Sequence, residues 1–430
     1  MLAVVLFWRP RITGSTKAQL GVTTPPSQTN FIFKFPMTIQ ARDFDVIIAG
    51  GGPAGSSASI HLASQGARVL VIEQKKFPRA KLCGEFISPE CLDYFARLGV
   101  ADRMSTAGGT RLLKTVFYGS TGRCVTVPSD WFEGNQYALG LSRSKMDTIL
   151  LERAKELNVT VLEEARAGTL LIKDKRVVGL SLGSKDSTDP FTALVTIDAT
   201  GRSRSLARQL DNNAAKKPAP FIAFQAHVKG TRLEKETCEI YFYPGGYGGF
   251  SIVEHGLYNA CFIVSTADVK AMGSDVKRVV NEVVCKNSRA AYTFGAIEPV
   301  SDWQAVALDR FGHRDMVPAY GLLTIGDAAA FIDPFTGSGI LMALESGELA
   351  AGTLTRNLEA IRKGGSFDVL AQEYLLLHQK RFNSRLRMSG LLRRAAFIPQ
   401  LAEAVIFLVG ASKSLRRAVA RATHHSSINE

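Results

Sequence analysis

Residues 44–73 read FDVIIAGGGPAGSSASIHLASQGARVLVIE. Asp45–Ala49 is a short, mostly apolar run of the kind that forms a buried parallel strand. It enters Gly50-Gly51-Gly52-Pro53-Ala54-Gly55 directly. The spacing Gly50-x-Gly52-x-x-Gly55 is a dinucleotide fingerprint. Gly50 permits the tight turn, Gly52 lets the backbone approach a pyrophosphate, and Gly55 lets the next helix pack closely on the sheet. That helix is predicted over 54–65, ending at Gly66, with a second strand over Arg68–Ile72. Glu73, at the tip of that strand, is placed to accept hydrogen bonds from ribose hydroxyls and would repel a 2′-phosphate, which excludes NADP here. The glycine spacing alone is a weak signal. Strand, glycines, helix, strand and acid in order are specific, and they leave NAD and FAD both open.

Further along, three segments favour FAD. Ile197-Asp198-Ala199-Thr200-Gly201-Arg202-Ser203 follows an apolar run. Leu323-Thr324-Ile325-Gly326-Asp327 ends another and continues to Asp333-Pro334. Phe335-Thr336-Gly337-Ser338-Gly339-Ile340 then opens a helix predicted to reach about Leu358. An Asp at a strand end, Asp327, can accept hydrogen bonds from ribityl hydroxyls. The helix that follows aims its positive end at whatever lies before it, and a reduced flavin is negative around N1 and O2.

These segments, with Gly50–Gly55 and Glu73, resemble the three fingerprints of the para-hydroxybenzoate hydroxylase-like FAD superfamily. Within it the chain is most similar to geranylgeranyl-reductase-like flavoproteins. Lys81-Leu82-Cys83-Gly84-Glu85 with Ser88-Pro89 matches their Cys-Gly-Glu segment, and Asp333–Ile340 matches their Pro-x-Thr-Gly-x-Gly-Ile turn. The likeness covers residues 44–360. It implies FAD contacts from Gly50, Gly52, Pro53, Ala54, Gly55, Glu73, Asp327, Gly337, Gly339 and Ile340. It adds Arg143 facing the cofactor, Cys83 and Gly84 on the flavin side, and Ala167 by the adenine. For Arg143 the alternative is a solvated helix start, since Ser142 or Ser144 can also cap that helix.

The resemblance also implies an organisation: α/β plus antiparallel β, with a Rossmann-type FAD-binding domain interleaved with a β-sheet substrate domain and followed by C-terminal helices. The FAD unit takes 44–109, 138–212 and 308–360. The segment 169–183 reads as a hairpin at the edge of its sheet, turning at Lys173–Arg176. The substrate unit takes 110–137 and 213–307, with antiparallel strands near 221–229, 238–243, 249–254 and 258–265. Residues 1–43 are an N-terminal extension expected to be disordered, 1–36 being dispensable and Met37 a candidate start. Residues 361–430 form a basic helical region.

The stretch Tyr243–Phe250 is rich in glycine and follows a strand, but no helix follows it. It reads as a loop and not as a second dinucleotide site. In the similar reductases this region ends in a Trp-x-Phe-Pro pattern lining a prenyl pocket. Here Gly249 replaces the Trp and Ser251-Ile252 replace the Phe-Pro. That departure leaves room for a bulkier or aromatic substrate. Tyr241, Tyr243, Tyr247 and Phe250 fit sheet packing or substrate contact.

The chain has 430 residues, 46% hydrophobic and 21% charged, a globular composition with no uninterrupted apolar run of spanning length. Its net charge of +13 is uneven. Residues 1–42 carry five basic groups and no acid, and residues 380–421 carry ten and a single acid, Glu403, so the body is neutral. A nucleic-acid grip would put charge in the body, which argues against that partner. The six cysteines show no C-x-x-C pair or zinc spacing, so buried, reduced thiols are expected and no metal site.

No Ser-His-Asp set or paired carboxylate is visible, so the catalytic residues are unknown from sequence. His227 is a candidate acid or base, or simply a strand residue. The flavin carries the hard step. The leading expectation is an FAD-dependent monooxygenase hydroxylating a small lipophilic or phenolic substrate with O2, supplied with electrons by NAD(P)H or another external reductant. The alternatives are a geranylgeranyl-reductase-like reductase of isoprenoid C=C bonds and a non-enzymatic flavoprotein at a membrane. The halogenases' Trp-x-Trp-x-Ile-Pro pattern is missing, which argues against halogenation. The expected location is cytoplasmic, with peripheral attachment to an anionic membrane surface through residues 380–421. The rival for that segment is a docked helix with a solvated basic face.

Overall fold

A computed structural model describes residues 43–132, 137–183, 190–211, 218–308 and 311–423. The expected extension over 1–43, with its candidate start at Met37, lies outside the described residues but for Asp43.

The opening strand, Phe44–Ala49, pairs in parallel with Val69–Ile72 on one side and Pro190–Asp198 on the other. Thr160–Leu162 extends the sheet beyond Val69–Ile72. Pro190–Asp198 changes partner along its length. Its first residues pair antiparallel with Arg176–Leu182, and its last pair in parallel with Leu322–Thr324. Ala167–Lys173 closes the edge as the predicted hairpin, turning through Asp174 and Lys175, both at positive φ.

Alternation then sorts the two faces. Val46, Ile48, Val69 and Val71 pack under the helices Pro53–Ser64 and Gly339–Arg362, while Ile47, Ala49, Leu70 and Ile72 pack against Leu170, Val177 and Leu180 of the hairpin. Burial on both faces explains why these strands read as continuous apolar runs. The two helices touch closely. A Cβ on Gly347 would lie 2.5 Å from the Ala54 carbonyl oxygen.

Among the described residues the second sheet has eight strands. Phe221–Lys229, Tyr258–Ser265, Gly246–Ile252 and Thr237–Tyr243 form an antiparallel run, continued by Lys114–Tyr118 (parallel to Thr237–Tyr243) and Cys124–Pro128. One face buries Phe224, Tyr241, Phe250 and Phe262 against the helices Val276–Glu282 and Ser288–Phe294. The other presents Ala223, Phe242, Tyr247 and Ile263 towards Phe331 and the C-terminal helices.

The glycine-rich stretch expected as a loop is a strand. Only Pro244 and Gly245 turn, and pairing resumes at Gly246. Its glycines allow close approach: a Cβ on Gly249 would lie 2.0 Å from the Glu239 carbonyl oxygen, and one on Gly248 2.3 Å from Phe262 Cβ.

The last three helices among the described residues are Phe367–Ala396, Pro399–Ala411 and Lys413–Ala422. Among the described residues no helix is long and apolar enough to cross a membrane.

Candidate flavin site

At the C-terminal end of the opening strand, Gly50 takes φ +109°, and a Cβ there would lie 2.4 Å from the Ala199 carbonyl oxygen. Gly52 precedes the Pro53–Ser64 helix in an extended conformation, with no side-chain cap on that helix. A Cβ on Gly52 would meet only guanidinium groups, Arg79 at 3.7 Å and Arg143 at 4.0 Å. Uncapped N–H groups of a helix start, flanked by two arginines, are what a pyrophosphate needs. Gly55 differs: its Cβ would lie 1.9 Å from the Gly50 carbonyl oxygen, so its smallness closes the turn. Glu73 accepts from Gly51 N–H at 2.9 Å and Lys75 N–H at 3.0 Å. A carboxylate has about four lone-pair sites, so two remain for ribose hydroxyls.

Arg143 opens the helix Arg143–Glu156, which Ser142 caps by accepting from Lys145 N–H. Ser142 thus starts the helix, and Arg143 is not solvated: its side chain is 11% exposed and lines the cavity. The guanidinium is clamped on Asp147, Nε to Oδ1 at 2.8 Å and Nη2 to Oδ2 at 2.7 Å, which holds it charged. Arg79 Nη1 lies 2.9 Å from the same carboxylate.

At the other end, Asp198 is fully buried. It accepts from Thr200 N–H and Oγ1–H and from Leu206 and Ala207 N–H, which folds the 199–207 loop along the cavity. Asp327 sits one turn past the strand end where it was expected, because the strand stops at Thr324 and Gly326–Ala328 form a 3-10 turn. Burial pushes its carboxyl up, opposed by Arg202, Lys81, Arg143 and Arg314. Gly337, at φ +70°, brings the chain into the helix Gly339–Arg362, which also has no side-chain cap.

All the predicted cofactor residues except Gly55 line one cavity of about 570 Å³: Gly50, Gly52, Pro53, Ala54, Glu73, Cys83, Gly84, Arg143, Ala167, Asp327, Gly337, Gly339 and Ile340. This lies within the size range of small-molecule sites. A glycine cradle, uncapped helix starts and a basic wall fit an FAD. Replacing Asp327 by Ala is expected to weaken FAD binding roughly 10- to 150-fold through loss of charge-assisted hydrogen bonds of ~1.5–3 kcal/mol. Equilibrium titration of apoprotein with FAD checks this, and unchanged affinity in a folded variant refutes the ribityl assignment.

Several cavity features were not assigned from sequence. Lys81 and Arg202 lie in segments that the motifs had already marked. Burial raises the Cys83 thiol, which is against a reactive thiolate. Glu85, at φ +54°, accepts from Arg143 N–H at 2.9 Å and pairs with His227 Nε2 at 2.6 Å. That bond raises the His227 pKa. His227 is thus a strand residue that ties the Cys83–Glu85 loop to the second sheet, a long-range pairing with no local signal.

A second cavity, about 200 Å³ and largely apolar, adjoins the first. Both share Gly84, Phe86, Cys261, Ile263, Pro334 and Gly337. Its floor is the second sheet, with Phe117, Ile240 and Phe242, and its roof is Val405, Ile406 and Val409 of Pro399–Ala411 with Val419 of the last helix. Tyr247 lines it and donates its hydroxyl to Asp333, whose carboxyl burial pushes up to about 6. Tyr241 and Tyr243 belong to the core on the opposite face.

The chain matches the family of the FAD binding domain over residues 43–363. It is 26% identical over 331 residues to digeranylgeranylglycerophospholipid reductase 2 of Methanopyrus kandleri, covering 76% of this chain and 80% of that one. The fold is similar to that of the flavin-dependent brominase Bmp2, with TM-score 0.74 and 20% identity over 88% of this chain and 93% of the other. It is also similar to that of a geranylgeranyl bacteriochlorophyll reductase-like protein of Thermoplasma acidophilum, with TM-score 0.72 and 20% identity over 89% of this chain and 96% of the other. The chain belongs to the FAD-binding domain family and is an FAD-dependent oxidoreductase.

Proposed function

We propose that this flavoenzyme is a monooxygenase that hydroxylates a small lipophilic or phenolic substrate held in the apolar chamber. The single observation carrying this reading is the chamber itself, which opens onto the cofactor cavity through Gly84, Phe86 and the Pro334–Gly337 turn. Gly249 and Ser251 line it where the similar reductases carry Trp and Phe; the Glu239 carbonyl oxygen fills the space of a side chain at 249, so the width for a ring comes from the small side chain of Ser251. The family's FAD supplies the redox chemistry when bound. Gly52 would hold its pyrophosphate, Glu73 its ribose and Asp327 its ribityl chain, and the apolar walls would keep water from the reacting carbon. NAD(P)H or another external reductant supplies electrons. In this reading residues 44–109, 138–212 and 308–360 are the cofactor domain, and 110–137 with 213–307 the substrate domain.

A second reading, reduction of isoprenoid C=C bonds, is favoured by the likeness to the digeranylgeranylglycerophospholipid reductase of Methanopyrus kandleri. Anaerobic turnover with a chemical reductant separates the two. Hydroxylation is expected to stop without O2, and product formation that continues at the aerobic rate assigns the reductase.

We further propose that the enzyme is cytoplasmic and rests on an anionic membrane surface through its last helices. Pro399–Ala411 is apolar on both sides. Ala402 and Ile406 turn inward, whereas Leu401, Phe407 and Leu408 are exposed. A helix apolar all round needs cover on both faces.

A further inference from the structure

Within the apolar chamber the polar side chains are nearly all engaged. Tyr247 donates to Asp333, Thr336 to the Asp333 carbonyl oxygen, and Thr423 to that of Ala420. Arg416 donates to the carbonyl oxygens of Val409, Gly410 and Thr126, and Thr115 is hydrogen-bonded to Cys238. Ser251 is different. It is 2% exposed, lines the chamber, and its Oγ has no hydrogen-bond partner.

The strand neighbours sharpen the contrast. Ser251 pairs in register with Asn259 on Tyr258–Ser265. Both polar atoms of Asn259 are engaged elsewhere: Oδ1 accepts from Gln225 at 2.7 Å, and Nδ2 donates to the Cys83 carbonyl oxygen at 2.8 Å. The polar row of this sheet face is thus satisfied up to Ser251 and stops there. A buried hydroxyl without a partner is costly, and an orphan of this kind calls for a specific explanation. Alanine at this position would fold at least as well.

We propose that Ser251 is the polar anchor of the substrate. Its hydroxyl bonds the oxygen of an otherwise apolar molecule, a phenol or a carbonyl compound, and so selects it over the matching hydrocarbon. The inference rests on the chamber being the substrate site. A site built to bond a substrate oxygen discriminates strongly against the analogue lacking it, because its own group is then left unpaired.

The test is a binding measurement on FAD-loaded protein, following the flavin absorbance during titration with 4-hexylphenol and with hexylbenzene. In Ser251→Ala the ratio of the two affinities is expected to fall about 10-fold against the parent protein, one hydrogen bond's worth. Hexylbenzene should bind unchanged or more tightly. Ser251→Cys, which keeps the bulk but donates weakly, should behave like Ser251→Ala. Neither variant should melt lower than the parent, whereas a merely structural hydroxyl would lower the melting temperature. An unchanged affinity ratio in both variants overturns the anchor and leaves the chamber reading standing. If neither probe perturbs the flavin of the parent protein, the chamber is not the substrate site, and both readings fall.

Discussion

Gly52→Val is expected to yield a folded, colourless protein. The Cβ of a residue at 52 has no backbone within 4 Å, only the ends of Arg79 and Arg143, so the chain tolerates it. The same space is where a pyrophosphate would approach the first N–H groups of the Pro53–Ser64 helix. A valine side chain there removes at least two charge-assisted hydrogen bonds of ~1.5–3 kcal/mol each, a loss in affinity of roughly 1,000-fold. Gly55→Ala is the contrast. Its Cβ would lie 1.9 Å from the Gly50 carbonyl oxygen, an overlap that only movement of the turn or the helix relieves. It should fail at folding and not at binding. Far-ultraviolet circular dichroism with flavin absorbance separates the two: Gly52→Val keeps the first and loses the second, and Gly55→Ala loses both. A yellow Gly52→Val protein with parental FAD content would end the pyrophosphate assignment.

What could be read in advance was what local sequence encodes. The Gly50–Gly55 turn, Glu73 and the hairpin after Ala167 depend on neighbours a few residues apart, and their backbone demands are written in glycine placement and apolar runs. Asp327 was displaced by one turn because nothing local marks where the last parallel strand runs out of a partner. The glycine run at 246–249 was misread for a related reason. Glycine signals both bending and close approach, and only the position of Phe262 and Glu239 shows that these glycines admit a neighbouring strand. The basic segment was the hardest case. Arg385, 1% exposed, pairs with Glu345 at 2.6 Å, and the half-buried Arg381 joins it at 3.0 Å, so two of the charges counted as surface are partners of one buried acid. Composition cannot separate a solvated arginine from one holding a buried carboxylate, since the partner lies on another helix.

That rearrangement changes how the membrane proposal has to be tested. A chain cut near Gln379 would leave Glu345 buried without either arginine, which is strongly destabilising, so loss of vesicle binding after the cut would say nothing about lipid. Substitution on the outer face is cleaner. Phe407 and Leu408 are each 58% exposed, and Arg123 lies 5.4 Å from the Phe407 ring centroid. Their burial in a lipid interface would contribute up to ~1.5–3 kcal/mol each, and the exposed Lys413 and Arg417 up to ~1 kcal/mol apiece on an anionic surface. The double substitution Phe407→Asp with Leu408→Asp should therefore reduce co-sedimentation with phosphatidylserine-containing vesicles by roughly 100-fold or more in partition coefficient. FAD content and melting temperature should not move, because the inner face, Ala402 and Ile406, is untouched. The parent protein should bind neutral vesicles more weakly than anionic ones, and raised salt should narrow that gap while leaving the apolar contribution. If the parent and the double variant sediment equally, or if neither binds, the outer face of Pro399–Ala411 meets no membrane, and the helix is only the roof of the chamber.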